Sequence, residues 1–267
     1  MKTIAITSGK GGVGKTNLTV NLGLALAQSG KRVLIFDADM GLANVDILFG
    51  YNCQHTILDV VDRKMDLQQI LVDGPDGVKI LPASSGVLKL ERLSLSQLAS
   101  LAQAMETLSN QFDILLIDTG AGMTESVLFF NTLADEVVLV TTPEPTALTD
   151  GYALIKVLAT EHQVKKIVLV VNQAHSEDES ANVFKKLAGI CQKYTEIKLV
   201  FAGGLMKDTC LEKSVRARKP VLLNYPQTIV SKNIKSIANQ FNQVFTGEKK
   251  TLDTHGFWHE VLSGRQH

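Results

Sequence analysis

A doubly wound, mostly parallel α/β fold is predicted by three features of the chain. Short apolar runs alternate with longer helical patterns, several runs are apolar at every position, and the first run ends in a glycine-rich loop that opens a helix. The runs fall at 3–8, 32–37, 78–82, 112–118, 136–142, 166–172 and 197–202. Ile114-Leu115-Leu116-Ile117 and Val137-Val138-Leu139-Val140 contain no polar residue. A strand apolar on both sides needs cover on both faces, which the crossover helices of a parallel sheet provide. Helical patterns at 15–29, 94–109, 146–162, 179–194 and 230–245 supply that cover. In the last of them Ile234, Ile237, Ala238, Phe241, Val244 and Phe245 make one apolar stripe. A polar break, Gly247-Glu248-Lys249-Lys250, follows. One domain is therefore expected over residues 1–246, with a linker and short amphipathic tail over 247–267.

Composition narrows the functional classes. The chain has 267 residues, 45% hydrophobic and 20% charged, which excludes a disordered or collagen-like protein. Its 27 Lys and Arg balance 27 Asp and Glu, which excludes a globally basic nucleic-acid binder. The three cysteines, Cys53, Cys191 and Cys210, form no CxxC pair. A metal knuckle or iron–sulfur cluster built from local pairs is thereby excluded, and a reducing compartment is expected. The sequence has no signal-peptide pattern and no run of 18 apolar residues, so a cytoplasmic protein is expected.

The chemistry starts at Gly9-Lys10-Gly11-Gly12-Val13-Gly14-Lys15-Thr16, which matches GxxxxGK[ST] between a predicted strand and a predicted helix. Its glycines allow successive N–H groups to face phosphates, and the helix N-terminus adds a favourable dipole. Gly9 to Thr16, together with Asn17, are expected to bind the nucleotide. Lys15 is expected at the β- and γ-phosphates of ATP or ADP, and Thr16 at Mg²⁺. The apolar strand 112–118 ends in Asp118, placed to serve the same Mg²⁺. Thr119-Gly120-Ala121-Gly122 follows it with the flexibility of a γ-phosphate switch. Asp37, Asp39 and Asp46 cluster after the second strand. Together they can serve Mg²⁺ and the attacking water, and Asp39 is expected to take part in that chemistry. Asp46 reads as a turn or capping residue.

With Lys10 ahead of Lys15, the loop KGGVGKT resembles the deviant phosphate loop of the MinD/ParA class of dimerising ATPases, over residues 2–243. The resemblance implies that Lys10 reaches the nucleotide of a second subunit, where a cation offsets developing charge. It implies that Asp39 belongs to switch I, orients the attacking water and lies at the metal, that Asp37 lies near the metal and β-phosphate, and that Asp118 begins switch II. It also implies that Asn172 reads adenine with its amide, and that Glu144 and Asp150 lie at the dimer or ribose side. The segment 214–221 would close over the base. Gly41-Leu42-Ala43-Asn44-Val45-Asp46-Ile47-Leu48-Phe49-Gly50 looks most like the FlhG/FleN branch, which sets flagellar number and placement.

That branch implies a homodimer with ATP, an FlhF-like GTPase and a flagellar master transcription activator as partners. Phe257, Trp258, Val261 and Leu262 would share one face of a tail helix and offer peripheral contact with the inner membrane or cell pole. Lys207, Lys213, Arg216, Arg218 and Lys219 outnumber Asp208 and Glu212, but read as a solvated face rather than a nucleic-acid site. Two other functions remain open at this point. One is a MinD- or ParA-like positioning ATPase for division, DNA or another polar cargo, and the other is a nucleotide-binding scaffold with little turnover.

Overall fold

The computed structural model describes residues 1–39, 44–51, 53–62, 64–82 and 108–245. Its central strand is β1 (Lys2–Ser8), followed by α1 (Lys15–Gln28) and β2 (Val33–Ala38). Three short helices come next: α2 (Val45–Phe49), α3 (Ile57–Val61) and α4 (Leu67–Ile70). Then come β3 (Val72–Asp73), β4 (Lys79–Leu81), β5 (Ile114–Ala121), α5 (Glu125–Leu133), β6 (Glu136–Thr141) and α6 (Pro145–Thr160). The chain continues through β7 (Lys166–Ala174), α7 (Glu177–Tyr194), β8 (Lys198–Met206), α8 (Thr209–Arg216), α9 (Val221–Asn224) and α10 (Ile229–Phe245).

The strands form one sheet in the order β3-β4-β2-β5-β1-β6-β7-β8. Every pairing is parallel except β3 with β4. All seven predicted strands form. The eighth, β3, is a two-residue antiparallel edge, too short to leave a period in the sequence. Of the helix expected over 94–109, only Leu108 and Ser109 are described, and both are helical. The boundary expected after residue 246 and the tail over 247–267 lie outside the described residues.

Strand alternation divides the core into two faces. Ile4 and Ile6 of β1, Ile35 of β2, Ile114 and Leu116 of β5 and Val138 of β6 are buried toward one face. Leu18, Leu22 and Leu26 of α1 cover it, with Ile234, Ile237 and Phe241 of α10. Of the stripe read in 230–245, Ile234, Ile237, Ala238 and Phe241 form the face that packs. On the opposite face, Leu34, Phe36, Leu115 and Ile117 meet α5 through Phe130 and Leu133. Leu139, Leu169 and Val171 meet α6 and α7 through Leu154, Leu158, Val183 and Leu187. Six successive residues of β5, Ile114 to Thr119, are buried, as cover on both faces requires.

β1 pairs with β5 on one side and β6 on the other. The crossover through α1 runs toward β2, whereas the one through α5 runs toward β6. Strand order therefore reverses at β1, and the carboxyl ends of β1, β2 and β5 open a crevice where α/β sheets bind ligands.

Candidate nucleotide site

The phosphate loop fills that crevice. Gly12 and Gly14 have φ of 80° and 91°, which a β-carbon would disfavour. Gly14 also caps α1 in the left-handed conformation. At Gly9 the constraint is close approach: a β-carbon would lie 2.2 Å from the Asp150 carbonyl oxygen and 2.6 Å from the Gly151 nitrogen. The start of the loop is thus seated on the backbone of α6.

Lys15 turns inward. Its Nζ lies 3.0 Å from Asp118 Oδ1, and both side chains are buried, at 7% and 1% exposure. Thr19 Oγ1 donates to the same Asp118 oxygen at 2.8 Å. Thr19 escaped the motif reading, although its i+4 spacing from Lys15 places the two on one helix face. Asp118 Oδ2 is buried and has no hydrogen-bond partner among the described residues.

Asp37 stands directly beside Asp118 in the register of β2 and β5. Its Oδ2 accepts from the Asn44 and Val45 N–H groups at 2.9 and 3.0 Å, and its Oδ1 accepts from the Asp39 N–H at 3.2 Å. Burial, and then the charge of Asp118, push its carboxyl up to about 7, against the pull of those three N–H groups. Asp39 is half-buried, and its Oδ1 lies 3.7 Å from where a β-carbon on Gly120 would sit, so the segments after β2 and at the end of β5 adjoin. Asp46 Oδ1 accepts from the Ile47 N–H at 2.8 Å, the local turn role read for it. Met40, Gly41, Leu42 and Ala43 lie outside the described residues.

These residues fit a divalent cation. Two adjacent buried carboxylates, one with an oxygen that has no partner among the described residues and one raised by burial and by its neighbour's charge, form a hard oxygen donor set. Thr16, the second residue of α1, is half-buried.

The second strand beyond β1 bears on the loop as well. Asn172, at the end of β7, donates from Nδ2 to the Val13 carbonyl at 2.7 Å and accepts from the Gln173 N–H at 2.8 Å. A β-carbon on Gly14 would lie 2.2 Å from that Nδ2. This brace on the loop was not foreseen, because only the folded register brings positions 159 residues apart together. The segment after Asp118 is tied down by Thr119 Oγ1 donating to the Ile6 carbonyl and by Gly122 N–H donating to the Ser8 carbonyl. Farther along α1, Asn21 donates to the Asn17 carbonyl at 2.8 Å and accepts from the Leu222 N–H at 3.1 Å. The first turn of α1 is thus linked to the C-terminal segment.

Lys10 turns outward instead. Its Nζ lies 2.9 Å from Glu144 Oε2 and 2.8 Å from Thr146 Oγ1, at the start of α6. Asp150 is half-buried on the same helix and meets the loop through its backbone carbonyl. The basic residues Lys207, Lys213, Arg216, Arg218 and Lys219 are all exposed, as a solvated face would be.

Comparison with known proteins accords with this geometry. The family model described as an AAA domain matches residues 1–171. The antiactivator FleN of Pseudomonas aeruginosa is 42% identical over 240 residues, spanning 90% of this chain and 86% of FleN. The chain belongs to the FleN family of MinD-like ATPases. The flagellum site-determining protein YlxH of Helicobacter pylori is 34% identical over 238 residues, spanning 89% of this chain and 80% of YlxH. MinD in the MinC:MinD cell division complex of Aquifex aeolicus superposes with a TM-score of 0.74 at 27% identity, covering 91% of this chain and 96% of that one. This FleN-family member is an ATPase with the MinD fold, as the resemblance implied. No helix among the described residues is long and apolar enough to cross a membrane.

Proposed function

We propose that this FleN-family ATPase is an ATP-dependent dimerising switch that regulates flagellar number or placement. The observation that carries the reading is the division of labour between the two loop lysines. Lys15 is buried on Asp118 within the crevice, while Lys10 stands at the surface. One lysine serves the phosphates of its own subunit, and the other is available to a second subunit.

In this reading the N–H groups from Gly9 to Asn17 cradle the phosphates, and Lys15 leaves Asp118 for the β- and γ-phosphates of ATP. Thr16, Asp37, Asp39 and Asp118 hold Mg²⁺, which when bound draws charge from the phosphate oxygens. Asp39 also orients the attacking water. Lys10 offsets the charge that develops on the partner's γ-phosphate. Asn172 meets adenine while bracing the loop, and Glu144 and Asp150 lie at the ribose and dimer side. Loss of the γ-phosphate removes what holds the switches, and the dimer opens. With Asp39→Ala, phosphate release is expected to slow about 100-fold or more while the ATP dimer persists. An unchanged release rate removes Asp39 from the chemistry.

FleN is by name an antiactivator, and YlxH by name determines a flagellar site. The first name supports a flagellar transcription activator as a partner of this chain, and the resemblance to the FlhG/FleN branch adds an FlhF-type GTPase. Co-purification with either separates this reading from a division-site or DNA-positioning role. Residues 1–246 form the ATPase domain, and Phe257, Trp258, Val261 and Leu262 give an ATP-bound dimer two weak attachments to the membrane surface. With ATP, the full chain is expected to sediment with anionic vesicles more than a chain ending at Gly247. Equal sedimentation of the two overturns the membrane role of the tail.

A further inference from the structure

The surface contact of Lys10 has a defined construction. Gly9 is seated so closely on the Asp150–Gly151 backbone that no side chain fits between them. That seat sets the next residue, Lys10, against the first turn of α6. Glu144 is the N-cap of α6, Pro145 its first residue and Thr146 its second. The Lys10 ammonium thus lies at the positive end of a helix dipole, an unfavourable place for a cation. What holds it there is the Glu144 carboxylate at 2.9 Å and the Thr146 hydroxyl at 2.8 Å. The side chains of Lys10 and Glu144 are 37% and 62% exposed, so water screens the pair and its hold is weak.

We propose that Glu144 and Thr146 hold Lys10 in its own chain, so that the lysine must be released from this contact before it can serve a second subunit. Glu144 is then a positioning residue that sets the threshold for dimerisation. The proposal rests on the dimerising-switch reading for its consequence, but the hold itself exists in the single chain. A weak, exposed ion pair suits this task. It keeps the ammonium from wandering over the crevice, yet a partner's triphosphate, carrying several negative charges, outcompetes one screened carboxylate. Two such contacts open for each dimer formed, so any change in the hold enters the dimerisation constant twice.

Two measurements on the full chain test this. The first is labelling of lysine amines by an acylating reagent without nucleotide, read by peptide mass spectrometry. Lys10 is expected to react about threefold faster in Glu144→Gln and in Thr146→Val than in the wild type, with other lysines unchanged. An unchanged Lys10 rate in both variants overturns the hold, whether or not the protein dimerises. The second is sedimentation with Mg²⁺ and a non-hydrolysable ATP analogue. Glu144→Gln is expected to lower the dimer Kd by about 3- to 30-fold, because both contacts have been weakened. A raised Kd shows Glu144 acting across the interface and overturns the threshold role, as does an unchanged one. Absence of a wild-type dimer defeats the switch reading and the threshold role together, and leaves the labelling to decide the hold.

Discussion

Replacing Lys15 by methionine is expected to destabilise the nucleotide-free protein by about 3 kcal/mol and to abolish ATP turnover. The expected loss of turnover follows from the role proposed for Lys15 at the phosphates. The stability loss follows from what remains. Asp118 is 1% exposed and, among the described residues, keeps only the Thr19 hydroxyl as a side-chain partner for Oδ1 and none for Oδ2. Removing one member of a buried pair leaves the other charge uncompensated. The stability of both proteins is also expected to fall as pH rises. Asp37 has its carboxyl raised to about 7 by burial and by Asp118, so the folded state binds its proton more tightly than the unfolded state does. That stabilisation is present at low pH and disappears as pH rises through about 7. Adding Asp118→Asn to Lys15→Met is expected to recover most of the stability and none of the turnover. Denaturant unfolding at pH 6 and pH 8 checks both statements. An equally stable Lys15→Met single variant at pH 8 contradicts the account of the buried pair.

The second large effect is expected at Gly9. In Gly9→Ala, a methyl group placed 2.2 Å from the Asp150 carbonyl oxygen meets backbone on a packed helix, so the loop has to leave its seat. Overpacking of this kind costs roughly 1–3 kcal/mol. Because the displaced segment carries Lys10 and leads into the N–H cradle, nucleotide affinity is expected to fall about 100-fold. Gly11 is the internal control: a β-carbon there meets only the Ala121 methyl at 4.0 Å. Thermal melting of both variants and nucleotide titration of Gly9→Ala check this. Equal melting of Gly9→Ala and Gly11→Ala contradicts the seating of the loop on α6.

Parts of this architecture were legible in the sequence because they are local. Ile114 to Ile117 announce a strand buried on both faces, and Gly9 to Thr16 announce a phosphate cradle by their own spacing. The stripe from Ile234 to Phe245 likewise predicts a helix packed along one side. What was not legible depends on neighbours brought together by topology. Lys10 meets Glu144 across 134 positions, because β6 lies beside β1 and leads into α6. The Asn172 brace on Val13 depends on β7 lying one strand farther out. Helix α5 went unread because four of its five apolar residues, Val127 to Phe130, stand consecutively in a nine-residue segment and show no stripe. Phe130 is buried in it and meets Phe36 edge-on at 5.7 Å, while Phe129 packs beside it. The strand β3 was missed because two residues cannot carry a period.

The dimerising switch stands or falls on the mass of the full chain in solution. With Mg²⁺ and a non-hydrolysable ATP analogue, sedimentation velocity should give a species of twice the 29.0 kDa chain mass, and with Mg-ADP a species of 29.0 kDa. Lys10→Ala should remain at 29.0 kDa with either nucleotide. The same mass in both nucleotides, or a Lys10→Ala dimer as stable as the wild-type one, would contradict the account.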